Sequence, residues 1–388
     1  MSKETAKKAV DLLFKMYEDN IPNAYINKDT HGIILDFIGG EPLMNIEIMD
    51  YIVSYFIQQC IEKNHEWLTA FRVGFASNGI LYFEEEVQKF FKKYSNFISM
   101  TISIDGPKEI HDACRVDYDG KGSFERSFAA LEHYLKNYGK YMSIEDNTKI
   151  TIAPENLPYL NKIIDFFLKY NVSIIYANPI YENKWTIEQA KEYYKQLKIL
   201  ANKMLEHPEI QCSRFLESNY RPKTTDENQN WCGGTGAMLA FDPDGMAYPC
   251  IRYMESSLGQ DQKPLIVGNV ENGIYNNDET IQIKKELNAI TRRSQSTDEC
   301  FHCPIAAGCA WCSAWNYQEN GTPNKRSTNI CWMHRAEALA NVYYWNLRYR
   351  KEESKKRFPI YLQQQEALKI VSEEEYNELL LLTFNDRY

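Results

Sequence analysis

The sequence predicts an α/β fold of parallel βαβ units, followed by an irregular, cysteine-rich region and a helical tail. Three observations carry this reading. Helical and extended patterns alternate from the start to about residue 180, which implies parallel strands joined by helical crossovers. Seven of the ten cysteines, from Cys232 to Cys331, fall within one hundred residues, while Cys60, Cys114 and Cys212 stand apart. The chain has 388 residues, 44% of them hydrophobic and 25% charged. That is the composition of a globular protein with room for two or three domains.

Residues 3–18 read as an amphipathic helix with Ala6, Val10, Leu13 and Tyr17 on one face. An apolar run, Ile33–Ile38, a glycine turn and a helix from Ile46 to about Lys63 come next. Phe71–Ala76 is the following strand, then Ser77-Asn78-Gly79 and a helix near Glu84–Tyr94. Ile98–Ile104 is a strand ending at Asp105-Gly106-Pro107, and Ser123–Asn137 is helical. Thr148–Ala153, Leu157–Tyr170 and Val172–Ala177 add a strand, a helix and a strand.

These elements set a first domain at residues 1–185 and a helical connector at 186–210. The cysteine-rich domain spans 211–345; its clear signals are the turn Asp242-Pro243-Asp244-Gly245 and a helix from about His334. Residues 346–388 read as a tail of amphipathic helix. Glu352 and Glu353 interrupt the basic residues between Arg348 and Arg357, which marks a solvated helix face.

A net charge of −9 argues against non-specific nucleic-acid binding, which needs a basic surface. No apolar run approaches the ~18 residues of a membrane helix, so no membrane partner is expected. The first residues interleave charges with apolar positions and show no signal-peptide core. The expected compartment is the cytoplasm, where disulfides are rare, so a dense cysteine cluster points to metal.

Several loops carry chemistry. After the first strand, Gly39-Gly40-Glu41-Pro42 either turns the chain or lets a ligand approach bare backbone, with Glu41 and carbonyls open to an ammonium group. Asn78 and the Ser-Ile-Asp-Gly of residues 103–106 place small polar groups at the next two strand ends. Arg115 either holds a carboxylate by a charge-assisted pair or sits in a salt bridge. In the cysteine region, Cys232 is followed by twelve residues, Gly245, four residues and Cys250. Then come Cys300-x2-Cys303-x5-Cys309-x2-Cys312 and, after a gap, Cys331. Thiolates at such spacings close around zinc, with His302 and His334 as further ligands, or around iron–sulfur clusters.

Gly39-Gly40-Glu41-Pro42, residues 103–106 and the cysteine array together resemble a radical S-adenosylmethionine (SAM) enzyme with a SPASM domain. The resemblance covers about residues 1–345. The SPASM pattern is C-x9–15-G-x4-C, a gap, C-x2-C-x5-C-x3-C, a gap and C; here two residues rather than three precede Cys312. Cys309-Ala-Trp-Cys-Ser-Ala-Trp-Asn and Ala340-Asn-Val-Tyr-Tyr-Trp-Asn346 most resemble maturases of cysteine-repeat (CXXX-repeat) peptides.

The resemblance implies a partial (β/α)6 barrel binding SAM at its open mouth. Gly39, Gly40 and Glu41 would hold the SAM amino group, with Asn78, Ser103, Asp105 and Arg115 as nearby contacts. Two auxiliary 4Fe–4S clusters are implied: one on Cys232, Cys250 and Cys312, its fourth site open or filled by Cys212, the other on Cys300, Cys303, Cys309 and Cys331. The implied partners are a cysteine-rich precursor peptide and an electron donor such as flavodoxin or ferredoxin. The implied reaction is radical thioether formation on that peptide.

The family's C-x3-C-x2-C, which holds the SAM-cleaving cluster, has no counterpart here. The barrel is therefore expected to lack its first strand and to leave an unpaired edge near Ile33–Ile38. A start codon placed too late or a clipped chain, a decayed pseudoenzyme, and complementation by another chain are the three explanations. As written, the chain is expected to bind SAM without cleaving it. The alternative function is a non-catalytic peptide-binding scaffold with structural metal sites.

Overall fold

Alternating apolar and polar positions make the first strands, and their parallel pairing places every strand end on one side. In the computed structural model, which describes residues 1–21, 25–138, 149–170, 172–230, 232–259 and 261–384, α1 (Lys3–Asp19) is followed by β1 (Ile33–Phe37), α2 (Ile46–Glu62), β2 (Phe71–Ser77), α3 (Glu85–Tyr94) and β3 (Ile98–Ile102). Then come α4 (Lys108–Cys114), α5 (Phe124–Tyr138), β4 (Lys149–Ile152), α6 (Leu160–Lys169), β5 (Ile174–Pro179), α7 (Ile187–Glu206) and β6 (Gln211–Cys212). β1-β2-β3 form one parallel sheet and β4-β5-β6 another, each in sequence order.

On β2, Phe71, Val73 and Phe75 are buried in the main core, as are Ile98, Met100 and Ile102 on β3. The opposite face, with Arg72 and Ala76, is open. β1 is the sheet's edge strand, with Ile34 67% exposed. That is the expected free edge, among the described residues.

The predicted elements of this half lie where the structure has them, with ends displaced by a few residues, as helix and strand ends usually are. Thr148, where the fourth predicted strand begins, lies outside the described residues. Two elements carry too little pattern to read. α4 is seven residues long, and β6 is two, paired parallel with β5 through Ile175 and Cys212. α7, read as a connector, therefore runs between two paired strands. Its start is fixed by a capping box in which Thr186 and Gln189 satisfy each other's backbone amides.

The cysteine-rich segment is more regular than its sequence indicates. β7 (Ala240–Phe241), β8 (Met246–Tyr248), β9 (Gly268–Asn269) and β10 (Gly273–Ile274) make a small antiparallel sheet in the order β10-β9-β8-β7. Strands of two or three residues leave no periodicity to detect. The predicted Asp242–Gly245 turn joins β7 to β8: the Asp242 carboxylate accepts from the amides of Asp244 and Met246, at 3.0 and 2.9 Å. α8 (Asp278–Asn288), α9 (Arg292–Gln295), α10 (Asp298–Phe301) and α11 (Ser313–Asn320) complete the segment. It has its own small core of Tyr248, Tyr253, Leu287, Ile290 and Trp311.

α12 (Cys331–Lys351) then crosses back along α7, and α13 (Gln364–Ala367) and α14 (Glu373–Thr383) follow. Every residue of α12 from Ala336 to Val342 is buried, as in a helix packed on all sides. The tail is bound to this layer: Glu375 of α14 receives Lys198 Nζ at 2.7 Å and the Tyr194 hydroxyl, both from α7. No helix among the described residues is long and apolar enough to cross a membrane.

One buried charge ties these layers together. Glu337 on α12 is fully buried. Its carboxylate accepts from Tyr193 of α7 at 2.9 Å and from Tyr220, pairs with Arg214 at 3.5 Å, and meets His334 Nδ1 at 3.0 Å. Burial works to raise its pKa, but Arg214 and His334 outweigh burial and hold it at about 2. Removing one partner of such a buried set leaves the others uncompensated. Glu337→Gln is expected to cost about 3–5 kcal/mol in chemical denaturation. Because this carboxyl is depressed from 4.5 to about 2, its contribution is complete above about pH 4.5 and is lost as pH falls through about 2. The variant should lack that acid limb.

Candidate functional site

The ends of β1, β2 and β3 meet in one mouth. A Cβ added at Gly39 or Gly40 would meet nothing within 4 Å, and Gly39 has φ +154°. The loop is thus open to solvent on the side where a side chain would project. Glu41 anchors it: Oε1 accepts from Ser77 Oγ at 2.8 Å and Leu43 N at 3.1 Å, and Oε2 accepts from Asn78 N at 2.8 Å. Three donors on one carboxylate leave about one of its four acceptor positions unused.

Ser77, buried at the end of β2, also receives the amide of Gly79 at 2.9 Å, and its carbonyl accepts from Ser103 N at 2.9 Å. The three loops are therefore locked to one another through Ser77. The sequence places Ser77-Asn78-Gly79 and Ser103 at the mouth as small polar groups for a ligand; that Ser77 instead anchors the loops to one another is not legible there.

Asp105 and Arg115, both expected at the mouth, are paired with each other. Arg115 Nε donates to Asp105 Oδ2, and Nη2 reaches Oδ1 at 3.4 Å. Arg115 is the residue that ends α4, and buried His111 on that helix fixes the loop. Its Nδ1 accepts from Asp105 N at 3.3 Å, and Nε2 lies 3.0 Å from Ser123 Oγ. Burial lowers the His111 pKa, in keeping with a neutral ring. A ligand carboxylate would share Arg115 with Asp105.

The seven cysteines of the array are free thiols in two groups. Cys232, Cys250 and Cys312 lie near enough to act electrostatically on one another, and Cys303 and Cys331 each feel the charges of Cys309 and Cys300. In the first group the backbone of Gly234 closes on the site, where an added Cβ would stand 3.2 Å from Cys250 Sγ. Cys312 caps α11, its sulfur accepting from Trp315 N at 3.4 Å. Ser313 Oγ lies 3.2 Å from Cys232 Sγ, a polar neighbour that the cysteine spacing does not announce. Cys212 is buried on β6 in the main core, beside Arg214 and Glu337.

In the second group, Arg326 Nη2 donates to Cys309 Sγ at 3.1 Å and to its carbonyl at 2.9 Å. Burial raises the Cys309 thiol, but His334 and Arg326 beside it outweigh burial and bring it down to about 6. Among the described residues, no set of three or more His, Cys, Asp or Glu side chains is arranged to hold a single metal ion.

The cysteine segment is fastened to the loop after β5. Asn329 Nδ2 donates to the carbonyls of Tyr181 and Asn183, and Arg252 pairs with Glu182 at 2.8 Å.

No protein-family model matches the chain. It is 22% identical over 249 residues to the radical SAM cyclopropyl synthase TigE of Paramaledivibacter caminithermalis, covering 60% of this chain and 47% of that one. It is 25% identical over 253 residues to a cysteine-type anaerobic sulfatase-maturating enzyme of Clostridium novyi, covering 61% and 63%. The chain thus spans about half to less than two thirds of these relatives' lengths. Among solved structures, it is similar to anSMEcpe with bound AdoMet and Kp18Cys peptide, with a TM-score of 0.58, 17% identity, and 91% and 90% coverage. It is also similar to Streptococcus suis SuiB bound to S-adenosylmethionine, with a TM-score of 0.50, 13% identity, and 84% and 69% coverage. The chain therefore resembles radical SAM maturases of the SPASM type in sequence and shares their fold.

Glu41 gives a direct test of the mouth. Glu41→Gln turns one acceptor into a donor facing Ser77 or the amides of Leu43 and Asn78. It should cost about 1–3 kcal/mol and speed hydrogen exchange at the Asn78 amide. Unchanged exchange there would show that the three loops are held by something else.

Proposed function

We propose that this chain belongs to a radical SAM peptide maturase acting on a cysteine-rich, ribosomally made peptide, with thioether formation as the modification. In this reading the two parallel sheets are parts of a partial (β/α)6 barrel, residues 1–185 with the connector 186–210, and residues 211–345 are the SPASM domain. The observation that carries the proposal is the pairing of two features in one fold. A glycine loop with open space over it sits at the strand ends, and seven thiols are divided into two groups.

Both implied cofactors fit residues that are present. Gly39 and Gly40 leave room for a ligand's amino group against bare backbone, with the remaining acceptor position of Glu41 beside them. Asn78, Ser103, Asp105 and Arg115 surround the same mouth. Against burial, His334 and Arg326 bring the Cys309 thiol down to about 6, toward the thiolate that binds metal, while burial pushes Cys331 up to about 12 and raises Cys303. On the resemblance of their spacing, we assign Cys232, Cys250 and Cys312 to one 4Fe–4S cluster and Cys300, Cys303, Cys309 and Cys331 to a second. Cys212, on its barrel strand, takes no part.

Bound at this mouth, SAM would supply radical hydrogen-abstraction chemistry toward a peptide carbon. The chain's own residues position: Ser77 and Glu41 hold the mouth in shape, and the Asp105–Arg115 pair presents a fixed positive group to a carboxylate. An electron donor such as flavodoxin or ferredoxin and a cytoplasmic setting complete the proposal. The 388 residues contain no C-x3-C-x2-C. That favours a second reading, a SAM- and peptide-binding scaffold without SAM cleavage of its own.

Anaerobic reconstitution should load two clusters, and Cys303→Ala should lose about half of the iron; one zinc and no iron would overturn the cluster assignment. Gly40→Val should abolish SAM binding measured by calorimetry while leaving iron content intact. Release of 5′-deoxyadenosine under strong reductant decides between the readings. The 388-residue chain alone should bind SAM and release none, and a chain carrying the triplet should release it with a cysteine-rich peptide present.

A further inference from the structure

Between α11 and α12 a polar loop carries Asn324-Lys325-Arg326. Lys325 is exposed, whereas Arg326 turns inward and is part-buried. Its Nη2 donates to the Cys309 carbonyl at 2.9 Å and to the Cys309 sulfur at 3.1 Å. Among the described residues no carboxylate pairs with this guanidinium; the groups that act most on its charge are Cys309, Cys300, Cys331 and Tyr181. A cation drawn out of water needs an anion beside it, and the second thiol group is placed to supply one.

The loop holds the arginine at that point. Arg326 N donates at 2.8 Å to the carbonyl of Gln295, the last residue of α9. Asn316 on α11 is 1% exposed, and its Oδ1 accepts from the Ser327 amide at 2.9 Å. Its Nδ2 donates to the Pro323 carbonyl and to Gln295 Oε1, both at 3.2 Å. Asn320 Nδ2 adds a bond to the Lys325 carbonyl at 3.1 Å. The backbone on both sides of Arg326 is therefore fixed from α9 and α11, and its side chain reaches across to Cys309.

Nη2 carries two N–H groups, so the carbonyl and the sulfur can be served together. A guanidinium also keeps its charge at every working pH, so the contact does not depend on a titration. We propose that Arg326 is a positioning residue for the second cluster: it holds the Cys309 sulfur in place and, as a fixed cation hydrogen-bonded to that sulfur, raises the cluster's reduction potential. The inference rests on the cluster assignment given under Proposed function. One electron taken from a donor makes a thiolate-bound cluster more negative by one charge, with no bond made or broken. A cation at a ligand sulfur stabilises that reduced state. In the first group the hydrogen bonds at sulfur involve neutral groups, Ser313 Oγ and Trp315 N, so the effect is confined to one cluster.

The test uses the full chain, reconstituted anaerobically with iron and sulfide, and redox titration followed by electron paramagnetic resonance. Arg326→Leu should keep the iron content and lower the midpoint of one cluster. The expected shift is about tenfold in the reduced-to-oxidised ratio, about 59 mV for one electron. The other cluster should not move, and Arg326→Lys, which keeps the charge, should recover part of the shift. A purely structural arginine would leave the midpoint unchanged in a leucine variant with full iron, and that result would overturn the proposal.

Should the leucine variant shed its iron, Arg326→Gln, which keeps an amide donor without the charge, carries the same titration and should also lower the midpoint. The unsubstituted site decides independently of any variant. In crystals of the reconstituted chain Nη2 should stay within hydrogen-bond distance of the Cys309 sulfur, and a guanidinium turned away from it would contradict the proposal. Failure of the underlying assignment looks different: the unsubstituted chain would take up no iron at all.

Discussion

A single buried carboxylate holds the two halves of this molecule in register. Glu337 can remain ionised with no solvent contact only because Tyr193, Tyr220, Arg214 and His334 converge on it. Those four come from α7, the segment after β6, the loop that pairs with Ala307, and α12 itself. Hydrophobic packing of α12 on α7 would tolerate sliding or rotation, because it has no direction. The carboxylate does not: each donor must be in place or a charge is left buried and unpaired.

The candidate site follows the same logic with weaker forces. At the mouth, Glu41 and Ser77 do for three loops what Glu337 does for the layers, with exposed surroundings and smaller energies. The two ends of the site differ in how they are prepared. The mouth is open backbone over a rigid anchor, suited to a ligand that comes and goes. The thiol groups are enclosed: Cys232 and Cys312 pack on the small core that includes Cys250, and Cys303 packs against the main core. A resident cofactor is what such enclosure suits, since metal binding then becomes part of the fold's stability.

Much of this was legible in the sequence because it is local. The strand alternation of Phe71, Val73 and Phe75, the glycines at 39 and 40, and the Asp242–Gly245 turn are each written within a few residues. The cysteine spacing is local in the same way, and metal chemistry there is the proposal it supports. What could not be read is long-range. Glu337 looks like one more helical acidic residue three places after His334, and its partners Tyr193 and Tyr220 lie 144 and 117 residues away. β6 is a strand only because β5 is there to pair with it. A salt bridge was among the alternatives for Arg115, but pattern alone could neither choose it over a carboxylate ligand nor name Asp105 as the partner.

The central claim is that the interleaved cysteines form two separate iron centres on a fold whose mouth is reserved for SAM. Anomalous scattering at the iron edge from crystals of the reconstituted chain tests it most directly. Two peaks are expected, one enclosed by Cys232, Cys250 and Cys312, the other by Cys300, Cys303, Cys309 and Cys331. A single peak shared by both groups, or a signal at the zinc edge alone, would contradict it.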